Sequence, residues 1–213
     1  MTSNPVCPLC DSKATGPYYR DRHRSYALCD QCELIFVPPA ERPDIIAEKA
    51  EYDKHDNSPD EPYYRESLSR LTTPLLEKIE ARAIGLDFGS GPGPMLARVL
   101  RDAGMRVRTY DVFYDPDASV WYQDYDFITC REVVEHLHNP GREFKRLFAA
   151  LKPGGWLAIM TKRVRNRQAF ADCLHSCDLT HVCFFSEATL HWIAKQHDAT
   201  LEFPAADVAL LQR

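Results

Sequence analysis

The sequence predicts an α/β chain in which strands and helices alternate, preceded by a small zinc-binding arm. Three observations carry this expectation. Cys7, Cys10, Cys29 and Cys32 form two CxxC knuckles with 18 residues between them, the spacing of a tetrahedral zinc site. A short apolar run over residues 83–88 leads into Gly89-Ser90-Gly91-Pro92-Gly93 and then into a helix-forming stretch. Beyond that loop, apolar runs of strand length alternate with stretches of helical periodicity as far as residue 212.

Composition bounds the answer. The chain has 213 residues, 45% of them hydrophobic and 27% charged, which at roughly 150 residues per domain predicts one domain or one and a half. A collagen, a disordered tail and a short disulfide knot are excluded. The longest apolar stretches run about five residues, as at 156–160, against the roughly 18 that cross a bilayer. No membrane partner is therefore expected. Residues 1–9 hold two prolines and no basic start followed by an apolar run, so no secretory signal is expected and a cytoplasmic address follows.

Charge divides the chain into three. Residues 1–40 carry four basic and four acidic side chains, and residues 63–213 carry 19 of each. The net charge of −5 falls in residues 41–61, with eight acids against three bases. The expected partition is a zinc ribbon over 1–40, an acidic linker or lid over 41–62 and a catalytic domain over 63–213. Neither flank has the net positive field of a non-specific nucleic-acid binder.

Four thiolates around one zinc leave no open coordination position, so the arm is expected to be structural, the metal folding a segment too short to fold alone. Tyr18, Tyr19, Arg20, Arg22, His23, Arg24 and Tyr26 interleave aromatic and basic side chains, a pattern able to stack single-stranded nucleic acid. The plainer reading is a hairpin whose alternating side chains face solvent and zinc core. Pro38, Pro39 and Pro43 then break regular structure, and Tyr52 and His55 precede the next domain as lid or substrate candidates. From Tyr63 to Ala81, Leu68, Leu71, Leu75, Leu76 and Ile79 recur at helical spacing, predicting a helix interrupted near Pro74.

The run from residue 83 reads as strand, glycine loop and helix, the helix spanning 94–101. Glycines there let the backbone approach a ligand closely, and proline at the helix start needs no donor. Asp87 ends the strand, and Asp111 follows a second strand over 106–110, 22 residues after Gly89, where an acid can accept hydrogen bonds from ribose hydroxyls. The pattern is GxGxG rather than GxGxxG, which points to a ligand without a pyrophosphate.

Asp87-Phe88-Gly89-Ser90-Gly91-Pro92-Gly93, Asp111, the strand over 126–130 with Arg131-Glu132-Val133-Val134-Glu135-His136-Leu137, and Leu151-Lys152-Pro153-Gly154-Gly155-Trp156 together resemble class I S-adenosylmethionine-dependent methyltransferases. These motifs cover residues 83–162, and the cysteine arm resembles a subgroup with an N-terminal zinc ribbon. The resemblance implies a Rossmann-like doubly wound sheet, mostly parallel with an antiparallel closing strand. It implies that Gly89, Gly91 and Gly93 pack against the methionine part of S-adenosylmethionine, with Ser90 in the same loop, that Asp111 holds the ribose, and that Asp87 orients the loop or the ammonium. The remainder fits helices over 141–151 and 186–197 and strands over 156–161, 199–203 and 207–212. Between Asp111 and Asp126 there is scant room for the family's third strand and helix. Tyr122, Gln123 and Asp124 are the candidates there for adenine.

Glu132, Glu135 and His136 stand at i, i+3 and i+4, which on a helix is one face. The set resembles the Glu-x-x-Glu-His motif of two metal-assisted branches, the ubiquinone-pathway O-methyltransferases and the small-RNA 3′-end 2′-O-methyltransferases. It implies a divalent ion, magnesium to be tested first, held by Glu132, Glu135 and His136 with His181 as a fourth ligand. The other readings are a helix cap, a loop-orienting motif, or His136 or His181 as general base; Glu132, His136 and His181 are the catalytic candidates. Lys162, Arg163, Arg165 and Arg167 could clamp an anionic acceptor or simply line a solvated loop. Asp172, Cys173, His175, Cys177, His181 and Cys183 form a second dense group of possible metal ligands, whose irregular spacing argues against a second zinc site; buried thiols and rim histidines explain most of it, and His181 is the member retained. The expected function is methyl transfer to a small, anionic acceptor, most simply at oxygen. The alternatives are an RNA methyltransferase that grips its substrate with the ribbon and a non-catalytic cofactor-binding adaptor.

Overall fold

The computed structural model describes residues 4–54, 62–174 and 178–213. In chain order the strands are β1 (Thr15–Arg20), β2 (Ser25–Cys29), β3 (Ile35–Phe36), β4 (Ile84–Phe88), β5 (Arg106–Tyr110), β6 (Tyr125–Arg131), β7 (Leu151–Met160), β8 (Cys183–Phe184), β9 (Thr200–Ala205) and β10 (Val208–Gln212). The α-helices are α1 (Ile45–Tyr52), α2 (Pro62–Leu76), α3 (Met95–Asp102), α4 (Pro140–Ala150), α5 (Arg167–Leu174) and α6 (Glu187–Gln196). No described helix is long and apolar enough to cross a membrane.

The chain forms two compact units, one of residues 1–55, 134–144 and 162–193, the other of residues 56–133, 145–161 and 194–213. This grouping differs from the expected partition, and backbone pairing is the reason. β3 pairs with β8 through Ile35↔Phe184 and Phe36↔Cys183, so the N-terminal sheet, ordered β1-β2-β3-β8, takes a strand from far along the chain. Val37 N–H donates to Val182 O (2.9 Å), and Val182 N–H to Glu135 O (2.8 Å).

In this first unit β1 and β2 form a hairpin between the two cysteine knuckles. The interleaved aromatic and basic residues form the expected hairpin, but they do not alternate simply between solvent and zinc core. Tyr26 and Arg24 are buried, and Tyr18, Tyr19, Tyr26 and Phe184 all pack their rings on Phe170. The acidic stretch is not only connector, since it contains α1. Its N-cap is Asp44, whose Oδ1 accepts from the N–H of Ile46 and Ala47, and Lys49 pairs with Asp53 one turn on.

The second unit is a six-stranded sheet ordered β5-β4-β6-β7-β10-β9. β4, β5, β6 and β7 are parallel, and β10 runs antiparallel to both β7 and β9, the expected closing pair. Central strands buried on both faces must be apolar throughout, and β4 is buried from Gly85 to Phe88. Gly85 is required there, because a Cβ would stand 2.1 Å from the Phe127 ring. Leu68, Leu71 and Leu75 of α2 and Met95, Leu96, Ala97 and Leu100 of α3 share one core with Phe127, Ala158 and Leu210. Each fully buried leucine contributes about 1.5–3 kcal/mol, which tolerates Pro74 within the last turn of α2. No described strand lies between β5 and β6. That interval holds a bridge between Asp111 and Asp115 and a 3-10 turn, Ala118–Tyr122.

Candidate functional site

The glycine loop leaves the C-terminal end of β4. Gly89 and Ser90 donate their N–H groups to Tyr110 O at 2.8 and 3.2 Å, so the loop folds back on the end of β5. Gly89 sits at φ 74, and a Cβ there would lie 2.4 Å from Val133 Cγ2. Glycine is needed for the backbone and for the neighbour alike. Gly91 stands at φ 65. Around Gly91 and Gly93 a Cβ would meet nothing within 4 Å, the open cradle a ligand needs.

Asp111 is buried, and both its oxygens are engaged. Oδ2 accepts from Gly91 N–H at 2.9 Å, and Oδ1 accepts from Phe113 and Tyr114 N–H at 2.8 and 3.1 Å. A carboxylate offers about four lone-pair sites, so it staples the loop and keeps capacity for another donor. Asp87 is fully buried and accepts from Thr129 Oγ1 at 2.8 Å. Burial pushes its carboxyl up to about 6, against the Thr129 hydroxyl and the Ala97 N–H. It therefore ties β4 to β6 and to the first turn of α3. The buried Ser90 Oγ has no hydrogen-bond partner among the described residues. An orphaned hydroxyl in an open glycine cradle fits a polar ligand. Phe88 stacks on Tyr110, and Trp121 meets both rings edge-on beneath the Arg146 guanidinium. Trp121 was not among the sequence candidates. Of those, Tyr122 is 91% exposed, while Gln123 and Asp124 run straight into the N-terminal end of β6, the opposite strand end from the glycine loop.

The four arm cysteines converge, all sulfurs lying within 4.8 Å of one another. Cys7 and Cys32 approach to 3.5 Å, as do Cys10 and Cys29. Tetrahedral zinc at about 2.3 Å needs sulfurs roughly 3.8 Å apart, so the donor set fits. The Cys32 contact, with the Leu9 and Cys10 N–H groups, pulls the Cys7 thiol down to about 5, while burial pushes Cys10 up to about 12. A central divalent cation would let all four ionise together.

The second group is Glu135, His136 and His181, again within 4.8 Å. Glu135 is buried, and the two imidazoles meet edge-on with centroids 4.6 Å apart. His136 Nδ1 lies 3.0 Å from Thr180 Oγ1, a contact that orients the ring. Burial, opposed by Asp178 and helped by Arg24, lowers the His181 pKa, which favours the neutral imidazole. Tyr52 from α1 lays its ring edge-on to His136 at 5.3 Å and donates its hydroxyl to Glu48 Oε1 at 2.7 Å.

Glu132 does not share this face. Val134–His136 is a single 3-10 turn rather than an α-helix, and Glu132 precedes it, exposed, at φ 50. A left-handed residue outside the turn breaks the i, i+3, i+4 register. Thr180, missed from sequence, had a signal in Asp178-Leu179-Thr180: the Asp178 carboxylate accepts the Thr180 N–H at 2.8 Å. Of the basic candidates, Lys162 and Arg165 are exposed, Arg163 pairs with Glu187 at 3.4 Å, and Arg167 lies over the Tyr18 ring. Buried Cys183 donates to Leu137 O. His55, His175 and Cys177 lie outside the described residues, as do the side chains of Asp172 and Cys173.

The family model described as "Methyltransferase domain" matches residues 61–202. The chain belongs to this methyltransferase family. The expected class and fold, an S-adenosylmethionine-dependent methyltransferase on a mostly parallel sheet, agree with that membership. Among curated relatives, the ubiquinone biosynthesis O-methyltransferase of Stutzerimonas stutzeri is 26% identical over 91 residues, 43% of this chain and 39% of that protein. That of Proteus mirabilis is 27% identical over 95 residues, 45% and 38%. The methyltransferase thus spans under half the length of the curated relatives it matches. A solved Burkholderia thailandensis 1,6-didemethyltoxoflavin-N1-methyltransferase with S-adenosylhomocysteine shares the fold, at TM-score 0.51 and 19% identity over 92% of this chain and 96% of that one.

Proposed function

We propose that this methyltransferase binds S-adenosylmethionine at the glycine loop and transfers its methyl group to a hydroxyl oxygen of a small acceptor, using Glu135, His136 and His181 at the acceptor. The observation that carries the reading is the convergence of those three side chains. Two imidazoles and a buried carboxylate are a donor set for a divalent ion, and the curated relatives are named O-methyltransferases.

The cofactor's sulfonium supplies a methyl group already activated for transfer, so the protein's work is alignment and removal of the acceptor proton. Gly91 and Gly93 admit the ligand, Ser90 Oγ offers it a hydrogen bond, and Asp111 holds the loop while accepting one further donor. A divalent ion such as magnesium, when bound, lowers the pKa of a coordinated hydroxyl. Glu135, His136 and His181 would hold it, with Thr180 orienting the His136 ring. Either imidazole serves as base if no ion is bound. The four arm cysteines would hold a structural zinc. Exposed Lys162 and Arg165 are the cations that would meet an anionic acceptor.

The test is calorimetric titration with S-adenosylhomocysteine, with magnesium present or chelated, on wild type, Asp111→Ala and His181→Ala. One-to-one binding weakened in Asp111→Ala and retained in His181→Ala supports the assignment. Turnover retained in His181→Ala would sink the acceptor-site reading.

A further inference from the structure

Arg24 is a buried cation whose side chain hydrogen-bonds to a hydroxyl and to backbone carbonyls. The side chain is only 4% exposed, and burying a guanidinium is costly unless its donors are used. Nε donates to the Tyr26 hydroxyl at 2.9 Å, Nη1 to Leu179 O at 2.5 Å, and Nη2 makes a long contact to Asp178 O at 3.5 Å. Two of these acceptors are backbone carbonyls about 155 residues away in the chain.

Both ends of this tether are braced. On the hairpin, Asp21 Oδ1 accepts the N–H groups of His23 and Arg24 at 2.6 and 2.7 Å. Asp21 Oδ2 accepts from the Tyr26 hydroxyl at 2.7 Å, which orients the oxygen that receives Arg24 Nε. On the far side, residues 178–181 form a tight turn in which His181 N–H donates to Asp178 O at 3.1 Å. The next residue, Val182, donates to Glu135 O at 2.8 Å and accepts from Val37 N–H at 2.9 Å. His181 therefore stands between a carbonyl held by Arg24 and a strand held by the N-terminal sheet.

We propose that Arg24 is a positioning residue: the cysteine arm, through this guanidinium, holds the 178–181 turn so that His181 meets Glu135 and His136. The arm is then a brace for the acceptor site rather than a grip on a separate partner. The inference rests on the proposed role of Glu135, His136 and His181. Arg24 acts on those residues through the turn, by its bonds to the Asp178 and Leu179 carbonyls. A lysine cannot reproduce a fork that reaches a hydroxyl and two carbonyls at once, so the conservative replacement restores only part of the effect.

The experiment compares wild type, Arg24→Gln, Arg24→Lys, Tyr26→Phe and His181→Ala. Four quantities are read: zinc content, S-adenosylhomocysteine affinity, amide hydrogen exchange over residues 178–182, and manganese affinity as the probe ion. Arg24→Gln should keep wild-type zinc and S-adenosylhomocysteine binding. Its exchange over 178–182 should quicken, and its manganese affinity should fall about tenfold, the usual cost of losing a residue behind a metal ligand. Arg24→Lys and Tyr26→Phe should fall between it and wild type.

Wild-type exchange and manganese affinity in Arg24→Gln would overturn the proposal, as would loss of zinc from both Arg24 variants, which would make the residue part of the arm's fold. Manganese binding by His181→Ala equal to wild type would instead remove the ion-site reading. Hydrogen exchange would still decide whether Arg24 holds the turn.

Discussion

The two clusters of metal-ligating side chains are built on opposite plans. The first draws four soft sulfurs from a 26-residue stretch, Cys7 to Cys32, and closes completely. The second draws one carboxylate and two imidazoles from the adjacent pair Glu135 and His136 and from His181, 45 residues further on, and three donors leave coordination positions open. A closed thiolate set stabilises structure, whereas an open oxygen and nitrogen set can also receive a substrate atom. Donor number and softness would therefore separate a scaffold from a site of chemistry, although in both clusters the donor atoms lie within 4.8 Å of one another.

The comparison can be broken most directly at the first cluster. Cys29→Ser should lose the zinc and lower the melting temperature by about 10 °C or more, measured by metal analysis and calorimetric scans. A variant that melts like wild type would show that the arm does not depend on its metal. Chelation should separate the clusters in the same sense: a brief chelator treatment should abolish magnesium-dependent turnover while the zinc stays bound.

The next effect concerns a charge held by the protein's own donors rather than by a metal. Asp87 has its carboxyl raised to about 6 from an ordinary 3.8, so the folded state binds its proton more tightly than the unfolded chain. Its stabilising contribution is complete below pH 3.8 and is lost as pH rises through about 6. At full extent the swing is about 3 kcal/mol. Asp87→Asn should flatten that limb of stability against pH in denaturant titrations, and an unchanged limb would remove the assignment.

At the second cluster, His181→Ala should lower turnover about a hundredfold, with zinc content and S-adenosylhomocysteine affinity intact. Asp111→Ala should have the smallest effect, weakening S-adenosylhomocysteine about tenfold, since it removes the charged acceptor to which three N–H groups donate. A loss confined to turnover would instead place Asp111 outside the cofactor loop.

Legibility in the sequence followed contact range. The cysteine knuckles, the glycine loop and the alternating elements were legible because each is encoded by neighbours a few residues apart. Glu132 was misread because helical spacing was assumed where the chain makes one 3-10 turn after a left-handed residue. Thr180 and Trp121 were missed because their relevance lies in partners, His136 for one and Tyr110 for the other, to which local periodicity gives no clue. The grouping into compact units was not legible for a related reason: a two-residue strand, β8, has too little pattern to announce that it pairs with β3.

The sequence by itself determined the α/β class, the glycine loop with its two aspartates and the four-sulfur cluster, because dihedral preference, hydrophobic period and CxxC spacing are local properties of the chain. Only the tertiary structure decided that His181 and Glu135 meet, that Arg24 is buried against the 178–181 turn, and that residues 183–184 complete the N-terminal sheet. Those contacts join segments up to about 155 residues apart. Their existence depends on the packing of the whole unit rather than on the preferences of the residues that make them.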